Sequence, residues 1–300
     1  MDRILRREFD AIARDRNSGA TELALRAVKG LELWIGRHAH PGEQDILAIA
    51  RALLRAQPSL APLLRLANDV ALAADADVPV KELQRVARDF GDLLRTASRK
   101  IARRFSRQLA ISKPRVVATY SYSSTVIAAL IASRAKLACV ICSESRPRCE
   151  GRATAEKLAR AGIAVKFFTD AGLMNVVDSA RMVVLGADAL LGRAFVNKIG
   201  SSALLAQAHS LRVPVLVLAD SSKFCPEPLA AAALRLRPGE ASELWRKPPE
   251  LVAAENPYFE YVRLSPGVCV MTERGPMTQE QVRTAMKNIQ ISPQLWTLTD

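Results

Sequence analysis

The densest grouping of side chains able to do proton or phosphate chemistry lies between residues 186 and 200, where Gly186-Ala187-Asp188 is followed by Asn197-Lys198-Ile199-Gly200. A carboxylate at the end of an apolar run can exchange a proton or grip sugar hydroxyls. A nearby lysine can neutralise a phosphate or orient that carboxylate. A structural Asp–Lys pair accounts for the same residues without catalysis. Three other polar runs have similar settings. Thr119-Tyr120-Ser121-Tyr122-Ser123-Ser124-Thr125 enters a helix and offers hydroxyls and free N–H groups to a phosphate, and reads equally as a Ser/Thr helix cap. Ser143 to Gly151 places Arg146 beside Pro147, a guanidinium suited to forked hydrogen bonding with phosphate, or simply a solvated turn. Asp220-Ser221-Ser222-Lys223-Phe224 ends a further apolar run, while Asp170 reads as the cap of the helix after it.

Positioning these residues requires strands that end together. From about residue 111, short β-branched runs alternate with amphipathic stretches of ten or so residues, the pattern of βαβ units. Strands are expected at Arg115–Thr119, Leu137–Cys142, Ala164–Phe168, Met182–Leu185, Val213–Leu218 and Val268–Thr272. Most lack polar alternation, as in a parallel sheet covered on both faces. Ligands of such sheets sit beyond the carboxyl ends of the strands, where the polar runs fall. Before residue 110 the apolar residues recur at helical spacing, with breaks at Asn17-Ser18-Gly19, His40-Pro41-Gly42, Gln57-Pro58-Ser59 and Val78-Pro79, giving about five helices. The fold expected is α/β: a helical N-terminal domain (1–110) followed by a Rossmann-like parallel-sheet domain (111–300). A Pro-rich stretch from Arg246 to Pro257 reads as a long surface loop.

Composition narrows the function classes. A formal charge of +13 favours phosphorylated ligands or polyanions, and Arg95, Arg99, Lys100, Arg103, Arg104 and Arg107 form a dense cluster. That cluster reads as a solvated helix face, with nucleic acid the alternative; no finger, helix-turn-helix or aromatic interleaving accompanies it. Five cysteines, mostly in apolar segments, fit reduced thiols. Cys139 and Cys142 have CxxC spacing but read as a buried strand, and three histidines offer no partnered ligand set, so no metal or cofactor is implied. The N-terminus lacks a hydrophobic signal core and no run approaches a membrane span, so a cytoplasmic location is expected.

Taken together, TYSYSSTV (119–126), SESRPRCEG (143–151), LGADALL (185–191), VNKIGS (196–201) and DSSKF (220–224) resemble the family uniting translation initiation factor 2B α/β/δ subunits with sugar-phosphate isomerases. The similarity extends through Met271-Thr272-Glu273-Arg274-Gly275. It implies a ligand pocket lined by Tyr120, Ser123, Ser124, Arg146, Asn197, Lys198 and Lys223. Gly19 is added from a small-residue segment (18–22) of the helical part that approaches the ligand. The resemblance also implies a homodimer through the α/β domain, and sometimes higher assembly with a protein partner.

Isomerase members such as ribose-1,5-bisphosphate isomerase and methylthioribose-1-phosphate isomerase use a cysteine after the first strand together with the aspartate of the GAD motif. Asp188 is retained, but the cysteine position holds Ser121, a far weaker acid than a thiol. The resemblance therefore points first to a regulatory, non-catalytic binder of a sugar phosphate or nucleotide. An aldose–ketose isomerase using Asp188 and Ser121 is the alternative, and a basic RNA- or protein-interaction module is the third reading.

Overall fold

Five helices open the chain because each apolar stripe is bounded by turn or capping chemistry. In the computed structural model, which describes residues 1–15, 18–112, 116–265 and 267–299, they are α1 (Arg3–Arg14), α2 (Ala20–Ile35), α3 (Glu43–Ala56), α4 (Ala61–Ala74) and α5 (Pro79–Ser112). Asp2 caps α1 by accepting the N–H groups of Ile4 and Leu5 at 3.1 and 2.9 Å. Proline begins α5, where its missing N–H costs nothing. Asn17 of the first expected break, and Lys113, Pro114 and Arg115 at the expected change of pattern, lie outside the described residues.

After α5 follow β1 (Val116–Thr119), α6 (Ser124–Ala132), β2 (Cys139–Ser143), α7 (Gly151–Arg160), β3 (Val165–Phe168), α8 (Asp170–Val176) and β4 (Met182–Leu185). Next come β5 (Ala189–Leu190), β6 (Ala194–Lys198), α9 (Ser201–Ser210), β7 (Val215–Leu218) and α10 (Glu227–Ala233). The chain closes with β8 (Phe259–Arg263), β9 (Val268–Thr272), β10 (Gly275–Met277), α11 (Gln279–Lys287) and α12 (Leu295–Thr299). The main sheet has the order β10-β9-β7-β4-β1-β2-β3, parallel throughout except for β10, which pairs antiparallel with β9. All six expected strands lie in it. Residues 134–136 form a short 3-10 turn that delays β2 to Cys139, and β7 begins only after Pro214, which has no N–H for the ladder.

Four strands had no expectation in the sequence. Besides β10, they are β5, β6 and β8, which build a small antiparallel sheet in the order β5-β6-β8. Asn197 and Lys198 are therefore the last two residues of a strand. The Pro-rich stretch does form an exposed segment without strands.

One face of the main sheet is covered by α8, α9 and α11, through Leu173, Leu204, Val282 and Met286. The other is covered by α6 and the second half of α5, through Val126, Leu130, Ile101 and Phe105. The first half of α5 lies in a different cluster, with α1 to α4 and with Ala189, Val196, Cys225 and Leu229 from the sheet part. Fully buried Asn68 on α4 adds a polar tie: its amide nitrogen donates to the Gln290 carbonyl and its oxygen accepts the Ser292 N–H, both at 3.0 Å. The division at residue 110 is thus bridged by shared core and hydrogen bonds. Chemical denaturation is expected to show one cooperative transition, and Asn68→Ala to cost about 2 kcal/mol or more, because both tied groups lose their partners inside the protein. Two separate transitions would instead identify independent domains.

Candidate functional site

The chain runs outward from β1 through β2 to β3, then returns to place β4 on the other side of β1. Order reversal leaves a crevice at the carboxyl ends of β1 and β4, the usual ligand site of such sheets. Its walls approach closely at Gly186, where a Cβ would lie 2.7 Å from that of Ser123. The Ser121 loop and Asp188 flank this crevice.

Ser121 has φ +64°, an uncommon conformation for a side chain other than glycine. It is held from three directions. Its N–H donates to Ser145 Oγ at 2.9 Å, its carbonyl accepts the Thr154 hydroxyl at 2.9 Å, and its Oγ donates to Glu150 Oε1 at 3.3 Å. The same Glu150 oxygen is 2.7 Å from Lys198 Nζ, and that lysine side chain is only 4% exposed. Glu150 Oε2 is buried without a hydrogen-bond partner among the described residues. Two strand ends therefore meet through Glu150, a residue the sequence reading passed over as part of a polar turn.

The turn that delivers Glu150 is shaped by Asp170. Its carboxylate accepts Ser143 Oγ at 2.7 Å and the N–H groups of Ser145 and Arg146 at 2.8 and 2.7 Å. This corrects the expected helix-cap role, which belongs to Thr169, whose Oγ accepts the Gly172 N–H. Gly151 closes the turn so tightly that a Cβ there would fall 1.8 Å from the Ser143 carbonyl oxygen.

Asp188 follows β4, with its N–H on the Val196 carbonyl at 2.8 Å and its own carbonyl accepting the first N–H of α4, from Ala61, at 3.3 Å. Burial pushes its carboxyl pKa up; Lys223 opposes this, Glu150 adds to it and Lys198 opposes it. Lys198 therefore does not form the expected ion pair with Asp188. Its partner is Glu150, and it acts on Asp188 through space. Lys223, only 5% exposed on the short turn after β7, is the strongest positive influence on Asp188.

Several residues expected to contact a ligand also hold the framework together. Tyr120 is buried and donates its hydroxyl to the Ile199 carbonyl at 2.8 Å, packing under Gly200 where φ is +98°. Ser123 Oγ caps α6 through the Val126 N–H, and exposed Ser124 is the first residue of that helix. The Asn197 amide donates to Ser201 Oγ at 2.9 Å, and that hydroxyl donates to the Lys198 carbonyl, locking the β6–α9 turn. Arg146 is exposed, with no side-chain partner among the described residues. Gly19 caps α2, with open space where a Cβ would project. Neither joins the other site residues by a contact. Cys142 is buried and its thiol is pushed up to about 12, so it supplies no thiolate near neutral pH.

Comparison with known proteins follows this geometry. A sequence model described as the Initiation factor 2 subunit family matches residues 16–279. The chain belongs to that family. This member is 29% identical over 247 residues to a ribose 1,5-bisphosphate isomerase of Archaeoglobus fulgidus, covering 79% of this chain and 78% of the relative. It is 32% identical over 185 residues to a putative translation initiation factor eIF-2B subunit 2-like protein of Pyrococcus furiosus, covering 61% and 65%. Among solved structures, the Pyrococcus horikoshii OT3 translation initiation factor eIF-2B superposes with a TM-score of 0.77 at 24% identity, covering 92% of this chain and 98% of that one. The 5-methylthioribose 1-phosphate isomerase of the same organism gives 0.67 at 17%, covering 94% and 86%. These likenesses establish the fold. No helix among the described residues is long and apolar enough to cross a membrane.

The raised pKa of Asp188 has a testable sign. A carboxyl whose pKa is higher folded than unfolded contributes stability at low pH that is lost as pH climbs from the ordinary value of 3.8 through the raised one. Asp188→Asn cannot ionise. Its melting temperature relative to the wild type is therefore expected to rise between pH 4 and 7, and a flat difference across thermal melts in that range would count against a desolvated carboxyl.

Proposed function

We propose that this family member binds a phosphorylated pentose at the carboxyl ends of the strands and interconverts its aldose and ketose forms, as the name of its Archaeoglobus relative suggests. One observation carries the reading. Glu150, bonded to Ser121 and paired with Lys198, puts a second carboxylate beside the desolvated Asp188. Aldose–ketose exchange needs an acid to protonate the ring oxygen as a cyclic sugar opens. It also needs a base for a hydroxyl proton as hydrogen passes between adjacent carbons. Asp188, favoured in its protonated form by burial, suits the acid. Glu150 suits the base, acting directly or through Ser121.

In this reading Ser121 replaces a proton-exchanging thiol with a relay, and the open valence of Glu150 Oε2 accepts a sugar hydroxyl. Lys223 and Arg146 supply positive charge for phosphate, while Lys198 holds Glu150 in place through their ion pair. A homodimer through the sheet part belongs to the same proposal.

A second reading, binding without turnover, rests on Ser121 itself, since a hydroxyl titrates far above a thiol. Phosphorus NMR of the purified protein with ribose 1,5-bisphosphate separates the two. Isomerisation is expected, falling about 100-fold or more in Asp188→Asn and Glu150→Gln, while Ser121→Cys retains it. Saturable binding by calorimetry without conversion would establish the binder, and neither binding nor conversion would dismiss both readings for that sugar.

A further inference from the structure

Charge along α5 is divided sharply at its middle. In the first half each exposed arginine has an acid close by: Arg85 pairs with Glu82 and Asp89, Arg88 with Asp89, and Arg95 with Asp92. After Asp92 no acidic residue occurs until Glu144, and that run of 51 residues contains 10 lysines and arginines. Among the described residues Arg95 is held by its ion pair and Arg104 by the Glu273 carbonyl at 3.2 Å. Arg99, Arg103 and Arg107 recur every four residues along one exposed face, with Lys100 beside them. Their spacing along the axis is about 6 Å per step at 1.5 Å per residue. Lys136 donates to the Ser106 carbonyl and hydroxyl at 2.6 and 3.1 Å, drawing exposed Arg134 and Lys136 onto the same end of the helix. None of these six lies within ion-pair distance of a carboxylate among the described residues.

Helix polarity does not account for the strip, because a favourable interaction with the C-terminal carbonyls fades within the last turn. Arg99 stands thirteen residues before Ser112. α5 runs from the carboxyl-end side of the sheet, where Arg104 reaches the Glu273 carbonyl just after β9, into the start of β1, so the strip extends along the side of the sheet and ends with Arg107, Arg134 and Lys136 toward the strand starts.

We propose that this strip seats the phosphate backbone of a double-stranded nucleic acid. Four of its six cations are arginines, whose forks match phosphate oxygens. No large hydrophobic side chain between Val78 and Phe167 is exposed among the described residues, so the strip has neither the apolar centre of a protein interface nor an anchor for a bilayer. Phe105, the aromatic residue of this part of α5, is fully buried and leaves nothing on which unpaired bases could stack, which favours a duplex over a single strand.

Fluorescence anisotropy with a labelled 20-base-pair RNA duplex, between 50 and 300 mM salt, tests this. Binding is expected with a slope of log K against log salt between about −3 and −5, near −0.9 for each phosphate neutralised. R99E/R103E/R107E is expected to weaken binding at least tenfold at 100 mM salt and flatten the slope by about two or more. R237E/R246E/K247E, an equal charge change on exposed residues elsewhere, is expected to cost less than threefold. Circular dichroism and thermal melts verify that both variants fold. The proposal is overturned by no binding at 50 mM salt, by equal losses in the two variants, or by tighter binding to the single strand than to the duplex.

Discussion

The candidate site depends on an ion pair between a buried lysine and a half-buried glutamate. Lys198 and Glu150 come from opposite sides of the crevice, one at the end of β6 and the other before α7, and their contact at 2.7 Å fixes the distance between those segments. Removing two charges from water is costly, and their attraction offsets this only when geometry and surrounding hydrogen bonds are good. Here the pair is only partly supported. Glu150 Oε1 also accepts Ser121, and Lys198 lies 5.1 Å above the Tyr258 ring, yet Glu150 Oε2 is left open. A purely structural pair gains nothing from an unpartnered buried oxygen.

Burial is the first cause of the raised pKa of Asp188, and Lys223 and then the Lys198–Glu150 pair act on it through space. Glu150 adds to the cost of ionising a carboxyl that is already desolvated, while Lys223 and Lys198 oppose it, and the net shift is upward. Carboxyl groups in environments that drive their proton affinities apart are a general route to assigning acid and base roles at one pH. Loss of the thiol at position 121 therefore removes one kind of proton carrier without emptying the site of acid–base groups. That is the physical ground for moving from binding alone, which the sequence favoured, towards turnover.

The main sheet and helical layer were legible because they rest on periodicity: continuous apolar runs such as Met182–Leu185 form strands covered on both sides, and the breaks at Pro41, Pro58 and Pro79 separate helices. The small sheet was not legible. β5 has two residues, and β6 ends in the polar Asn197 and Lys198, so neither shows the length or alternation that marks a strand. Site contacts were less legible still. Lys198 is ten residues from Asp188 and 48 from Glu150 in sequence, yet its ion pair is with the distant residue. Asp170, folding the 143–146 turn back on itself, and Gly151, closing it, bring Glu150 within reach. Likewise the hydroxyls of Tyr120 and Ser123 matched a ligand pattern but serve the backbone, because free N–H and C=O groups at strand and helix ends must find partners first.

The length of α5 connects these observations. At 34 residues it spans about 50 Å, more than one core can cover, so its first half packs among the helices and its second half against the sheet. A helix serving two cores must keep an inward apolar stripe along its whole length, leaving the outward face free to vary in charge. In the first half that face is self-neutralised by Glu82, Asp89 and Asp92; in the second, no carboxylate among the described residues pairs with the strip. Parallel strands give the sheet two unlike ends, and α5 carries its cations along the side between them, from the level of Arg104 at the Glu273 carbonyl after β9 towards the starts of β1 and β2. The carboxylates and lysines of the crevice lie where they finish. The long-range field of a chain at +13 is therefore divided between an exposed cationic strip and buried charges that largely offset one another.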